Sequence, residues 1–302
     1  MNDQQGWLNI YKPKGLTSFA TIEKIKKKFN LNKIGHGGTL DPLAEGVLPI
    51  GIGKATKLIP FINSQIKEYE FEIKWGSQTS TDDLEGEIIK TSSNIPSLQK
   101  INGEFKKSIG KLLQKPPKAS AVKINGKRAY KLLREKKDFE TKAKTVFVYS
   151  LKILNNNKNL ITKVAIECSK GFYIRSFARD IAEKLNTKAH IHSIKRTKVG
   201  KFELINANLL DDLLKIGQSL SEFKGFHTST SMLDDILAYE IEEENIKNYI
   251  SQGKMIKINF NQSINPLLNL SEEKNIFLTE NGNVISIGKL NGDLFKPKKV
   301  LI

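Results

Sequence analysis

One carboxylate in this 302-residue sequence sits where a loop, rather than a helix or strand, would aim it. Asp41 stands between Leu40 and Pro42, just after Ile34-Gly35-His36-Gly37-Gly38-Thr39. The glycines permit close approach of another segment or a ligand, and Pro42 fixes the turn while removing a donor. An aspartate so placed is either an Asx-type turn bonded to its own backbone or a reagent held toward a pocket, and residue types alone leave both open. As a reagent it could attack an electrophilic carbon or remove a proton, and away from water it would need a cation to stay ionised. Other chemistries find less support. No Gly-Lys-Ser/Thr follows Gly35-His36-Gly37-Gly38, and no GxGxxG lies between a strand and a helix, so no nucleotide cradle is read. His36, His190 and His192 lack a Cys or Glu cluster at ligand spacing, so no metal is expected. His227 has no partner near it in sequence and reads as a surface residue.

The elements that must hold Asp41 lie on either side of it. Trp7 to Tyr11 reads as a strand ending in the turn Lys12-Pro13-Lys14-Gly15. Thr17 or Ser18 caps a helix with Phe19, Ile22, Ile25 and Phe29 in one stripe and Lys24, Lys26, Lys27 and Lys28 facing outward. The apolar run Gly46 to Ile52 follows the loop. Tyr69, Phe71, Ile73 and Trp75 alternate as a strand within Ser64 to Gly76, before an acidic turn from Thr79 to Gly86. Pro96 opens a helix through Leu98, Ile101 and Phe105, and Asn125-Gly126 is a hairpin turn. Strands at Thr145–Leu154 and Leu160–Cys168 meet at an Asn155-Asn156-Asn157 turn. Gly171 then leads into a helix buried along Ile174, Phe177, Ala178, Ile181 and Leu185. After about residue 235 come acidic Glu240 to Glu244, a short helix, and strands punctuated by Asn281-Gly282 and Asn291-Gly292, the pattern of a small β-barrel. The expectation is an α+β fold with a mixed, largely antiparallel sheet over residues 1–235 and a small C-terminal barrel over 236–302.

Composition narrows the partners. Lys and Arg number 49 against 32 Asp and Glu, a formal net charge of +17. From Ser231 onward ten acids meet eight lysines, a net of −2, so residues 1–230 carry +19. With only five arginines, part of the lysine excess is a compositional bias, but a uniform bias would not spare the last 72 residues. A polyanion is therefore expected to bind before residue 231. The single cysteine, Cys168, excludes disulfides and thiolate zinc sites and suits a reducing compartment. The start Met1-Asn2-Asp3-Gln4-Gln5 lacks a secretion-signal pattern, and no apolar run reaches the roughly 18 residues of a membrane span. A soluble, cytoplasmic protein is expected.

The stretch His36-Gly37-Gly38-Thr39-Leu40-Asp41-Pro42-Leu43-Ala44-Glu45-Gly46-Val47-Leu48-Pro49 resembles the catalytic loop of the TruB family of tRNA pseudouridine synthases. Other blocks match in the family's order. These are Lys12-Pro13-Lys14-Gly15-Leu16-Thr17-Ser18, Lys67-Glu68-Tyr69 and Thr79 through Gly86. After them come Gln114-Lys115-Pro116-Pro117, Gly126-Lys127-Arg128-Ala129-Tyr130, Cys168 through Ser176, and Ala189-His190 through Thr197. The resemblance covers about residues 7 to 205. The tail, with Gly288-Lys289-Leu290 and Phe295 through Val300, more loosely resembles an RNA-binding PUA domain.

The resemblance implies the pseudouridine-synthase fold with a PUA-like C-terminal domain. It implies isomerisation of uridine 55 in the T-loop of tRNA, by base flipping, cleavage of the glycosidic bond and rejoining through carbon. It implies no cofactor and no metal, and a monomer acting on the tRNA T-arm without an obligatory protein partner or a membrane. Asp41 then matches the catalytic aspartate and Arg175 its cationic partner. Tyr69 matches the aromatic that stacks on the flipped base and shares in proton transfer, Tyr173 and Ile194 match other pocket contacts, and His36 matches a T-loop contact. Without the resemblance, Tyr69, Tyr173 and Ile194 would read as core, and Arg179, one helical turn after Arg175, as a surface residue. Ala119 stands where the family usually has Tyr, Ile194 where it has Leu, and Lys195 where it has Arg, which loses a bidentate fork. Two other readings use the same scaffold: an RNA-folding or RNA-binding protein, and a guide-dependent synthase acting on ribosomal RNA.

Overall fold

The computed structural model describes residues 4–64, 66–157, 160–217, 219–233, 237–241, 244–258 and 274–301. Its main body is an eleven-stranded sheet. The first strand, β1 (Gly6–Lys12), lies antiparallel to β3 (Glu45–Ile52), and the short β2 (Ile34–His36) adds to the far part of β3. Strand Ala189–Val199 joins β3 to β4 (Lys67–Trp75), and Ile161–Cys168, Lys144–Asn157 and Gly110–Gln114 continue outward. Only two of its pairings are parallel, between β1 and Asn208–Leu209 and between β3 and Ala189–Val199. The mixed, largely antiparallel sheet read from the sequence is what forms.

Alternation governs β4. Lys67, Tyr69, Phe71, Ile73 and Trp75 all point to the buried face, and helix Ile174–Lys184 covers that face with Ile174, Phe177, Ala178 and Ile181. Helix α1 (Ser18–Phe29) packs differently from its apolar stripe. Thr17 caps it by accepting from the Ala20 amide, and Ser18 Oγ is tied to Leu40 through both its amide (2.8 Å) and its carbonyl (3.0 Å). These bonds set the buried face at Ser18, Thr21, Ile22 and Ile25, so Phe19 turns outward and is 66% exposed. The asparagines at 155–157 also depart from expectation: they pair with Lys163, Thr162 and Ile161 as strand. Asn125 and Gly126 both take positive φ (47° and 82°), as a two-residue hairpin loop requires.

A second, five-stranded sheet follows. Leu237–Glu240, Lys274–Glu280, Asn283–Asn291, Leu294–Val300 and Ile256–Lys257 lie side by side in that order, with helix Glu244–Ser251 beside them. Its inner face holds Ile276, Leu278, Ile285, Leu290 and Phe295. Phe277, Val284, Ile287 and Leu301 instead join Trp7, Val47, Leu58 and Phe202 of the main body in one apolar cluster. Hydrogen bonds reinforce the contact: Ser229 accepts from the Trp7 indole at its carbonyl (3.1 Å) and from the Val284 amide at its Oγ (2.9 Å). Among the described residues no helix is long and apolar enough to cross a membrane.

Candidate active site

Asp41 lies in the loop between β2 and β3, which is held at several points. Gly15 donates to the Pro42 carbonyl (2.8 Å), Gly37 to that of Pro49 (2.8 Å), and Ala44 to that of Asp41 (3.1 Å). Lys12 closes the preceding turn through its Nζ, which donates to the carbonyls of Pro13 (2.8 Å) and Leu16 (2.6 Å). Glycine is required at 46, where φ is +104° and a Cβ would stand 2.2 Å from the Arg196 carbonyl. The Asp41 side chain caps nothing. Its Oδ2 meets Arg175 Nη2 at 2.8 Å, and 39% of the side chain faces an open pocket.

Arg175 is pinned from several sides in the first turn of its helix. Its Nη1 also meets Asp83 Oδ2 at 3.2 Å, and the same two nitrogens donate to carbonyls, Nη1 to Thr81 (3.1 Å) and Nη2 to Ala119 (2.9 Å). Asp83 in turn accepts from Thr81 Oγ1 (2.5 Å) and the Glu85 amide (3.0 Å). The guanidinium thus bridges a buried carboxylate and a pocket-facing one, and its orientation is set by four acceptors. Burial pushes the Asp41 carboxyl above the usual aspartate value and nearby Asp83 adds to this, while Arg175 pulls it back.

The pocket has a volume of about 310 Å³ and brings together Asp41, Tyr69, Tyr173, Arg175 and Ile194, with Lys67 and Arg196. Tyr69 and Arg196 are directly opposed on neighbouring strands, which sets the guanidinium near the phenol. Arginine only donates, so it cannot take the phenolic proton of Tyr69. Burial pushes the Tyr69 phenol up to about 12, which keeps that proton on at neutral pH. Tyr173 is fixed through its backbone, its amide donating to Gln114 Oε1 (2.8 Å) and its carbonyl accepting from Gln114 Nε2 (3.1 Å).

His36 lines an adjoining lobe of about 740 Å³ that shares Asp41 and Arg175 with the pocket and opens past Phe19, Tyr130 and Arg134. Burial and the nearby Arg196 hold the imidazole below its usual pKa, so it is neutral at pH 7. Among the described residues its Nδ1 and the Oγ of Ser120, a residue that lines both lobes, are buried without hydrogen-bond partners. Arg179 is half-buried and lines neither lobe. It holds Asp82 (2.9 Å) and Asp180 (2.9 Å), bracing the acidic turn from behind. His227 is likewise not free at the surface, since it is half-buried in a strand pair with Trp7.

Sequence reasoning gave no role to Lys12, Lys67, Asp83 or Arg196, though all lie in the matched blocks. Asp83 could have been suspected as a second carboxylate in the acidic turn. Arg196 could not, because only the register of its strand against β4 sets it opposite Tyr69.

A sequence model described as TruB family pseudouridylate synthase (N terminal domain) matches residues 26–174. A Rickettsia akari (strain Hartford) protein named tRNA pseudouridine synthase B is 38% identical, over 97% of each chain. A protein of the same name from Wolbachia pipientis subsp. Culex pipiens (strain wPip) is 46% identical over 70% of this chain and 60% of its own. In architecture the chain resembles a crystal structure of a Cbf5-Nop10-Gar1 complex, with a TM-score of 0.72 at 22% identity over 98% of this chain and 85% of that one, a likeness of fold. Since similarity to the Rickettsia protein runs nearly end to end, the chain belongs to the TruB family of pseudouridylate synthases.

Proposed function

We propose that this chain isomerises uridine 55 in the T-loop of tRNA to pseudouridine, acting alone, as a monomer, in the cytoplasm. The observation that carries the reading is the Asp41–Arg175 pair at 2.8 Å, at the edge of a pocket walled by Tyr69, Tyr173 and Ile194. Such a pocket suits a planar base taken out of its stack, a step that costs a few kcal/mol and is offset by new contacts. The two chemistries open to Asp41, attack on the ribose C1′ and removal of a sugar proton, both require it ionised, and Arg175 favours that state. Tyr69 offers a ring face for the base and a retained phenolic proton. His36 and Ser120 offer unsatisfied polar atoms to the rest of the loop. In this reading residues 1–235 form the catalytic domain, and residues 236–302 form a PUA-like domain that binds RNA through its surface.

The test uses a bare T-arm stem-loop RNA and the purified chain with no other protein. Mapping should find pseudouridine at a single loop uridine. No product from the stem-loop, with product appearing only when a guide RNA and partner proteins are added, would overturn the reading.

A further inference from the structure

The cations around the pocket are not held alike. Arg175 lies between two carboxylates, Asp41 and Asp83. Arg196 forms another part of the wall and is 1% exposed, yet every direct partner the described residues give it is neutral. Its Nε donates to the Val47 carbonyl (2.8 Å) and its Nη2 to the Gly38 carbonyl (3.0 Å), and it stands opposite Tyr69 on the neighbouring strand. Those bonds use two of the five guanidinium donors. Lys67 stands two residues before Tyr69 on β4, so it shares the same face, and it lines the same pocket at 7% exposure. A buried cation compensated only by dipoles leaves a positive potential in the cavity beside it. Burial holds Arg196 below its usual pKa and pushes Lys67 down to about 8.

The reaction proposed above creates a matching charge. When the C1′–N1 bond breaks, its electron pair leaves with N1 and spreads over the O2 and O4 oxygens of the uracil ring. C1′ either gains a bond to an Asp41 oxygen or its sugar loses a proton to that carboxylate. Rejoining uses a pair from the base to form C1′–C5, and Asp41 is released or returns the proton. The C5 proton is lost and N1 is protonated, so the sum is an isomerisation with no co-reactant.

We propose that Arg196, with Lys67 beside it, is the group that stabilises the negative charge on the departing uracil, across the pocket from the carboxylate that acts on the sugar. Fixed charge aimed at where charge develops needs no reorganisation during the step, and removing one such donor commonly costs about 10²–10³-fold in rate. The proposal rests on the function proposed above.

The experiment measures single-turnover conversion of N- to C-glycoside in the T-arm stem-loop, with either uridine or 5-fluorouridine at the target position. Fluorine stabilises the base anion and makes leaving easier without help from the protein. The variants are Lys67→Met, Arg196→Met and Arg196→Lys, each checked by thermal melting. With uridine, the two Met variants should lose about 10²-fold in rate while RNA affinity changes only a few-fold. With 5-fluorouridine that deficit should shrink at least about tenfold, and Arg196→Lys should recover part of the rate. If Arg196→Met does not fold, Lys67→Met alone decides. Equal deficits on both bases, or a loss seen only in affinity, would overturn the proposal while leaving the function standing. Failure of the unaltered protein to convert uridine would overturn both.

Discussion

The two sheets bury different things. Behind the eleven-stranded sheet and its helices lie Lys12, Lys67, Asp82, Asp83, Arg175 and Arg196. Among the described residues of the five-stranded sheet, the buried polar side chains are only Thr279 and Ser286, amid Ile, Leu, Val and Phe. Taking an ion out of water costs several kcal/mol before any pairing offsets it. One interior is therefore built for packing alone, and the other carries charges that packing does not require. In the proposed function chemistry belongs to the second kind, and contact through the surface to the first.

The sharpest way to break this contrast is Arg175→Ala. It strands Asp83 in the interior and unpairs Asp41, so stability should fall by about 3–5 kcal/mol in denaturant titrations, along with loss of turnover. A change below about 1 kcal/mol would show that the carboxylates are held by other means. The matching substitution in the other sheet is Leu278→Ala, at a fully buried apolar position. It should cost about 2–5 kcal/mol by opening a cavity, while the single-turnover rate of RNA-bound protein stays unchanged. A tenfold drop in that rate would place part of the chemistry in the second sheet.

Proton linkage gives a smaller effect. Burial pushes Lys12 and Lys67 down to about 8 from 10.5, so just above pH 8 the unfolded chain holds more protons at these groups than the folded one. Stability should therefore rise with pH from about 8 to 9, by up to about 1 kcal/mol per lysine. Cys168 and Tyr69, both pushed up to about 12, oppose this rise, Cys168 already within the window because its ordinary value is 9.0, and Tyr69 above it. Calorimetry across this window should show the rise flattened in Lys12→Met, and an unchanged rise would mean Lys12 titrates normally. The smallest effect is in salt dependence. Neutralising Arg134, at the mouth of the larger lobe, should lower the slope of log affinity against log salt by about 1, and neutralising Lys298 should leave it unchanged. The reverse result would move the RNA backbone onto the C-terminal sheet.

Much of this was legible in the residues. The alternation at Tyr69, Phe71, Ile73 and Trp75 gave β4 and its face, because a period of two has one structural solution. The loop around Asp41 was recognisable because glycines and a proline restrict the backbone locally. Phe19 faces outward although its stripe is the more apolar, because Ser18 bonds to Leu40, a residue distant in sequence, and so turns Ser18 and Thr21 inward. Arg179 was misread for a similar reason: its partner Asp82 comes from a turn 97 residues earlier. The neutral surroundings of Arg196 depend on strand register, which no local pattern encodes.

The central claim is that Asp41 is the reagent and the surrounding charges exist to serve it. Its raised pKa means that any stability it lends is present at low pH and lost as pH rises through the folded value. Asp41→Asn should therefore fold at least as stably as the parent at neutral pH. The deciding measurement is pseudouridine formation by this variant, alongside its tRNA affinity. Product should fall below detection while affinity stays within a few-fold of the parent. Turnover close to that of the unaltered protein, with binding intact, would contradict the account.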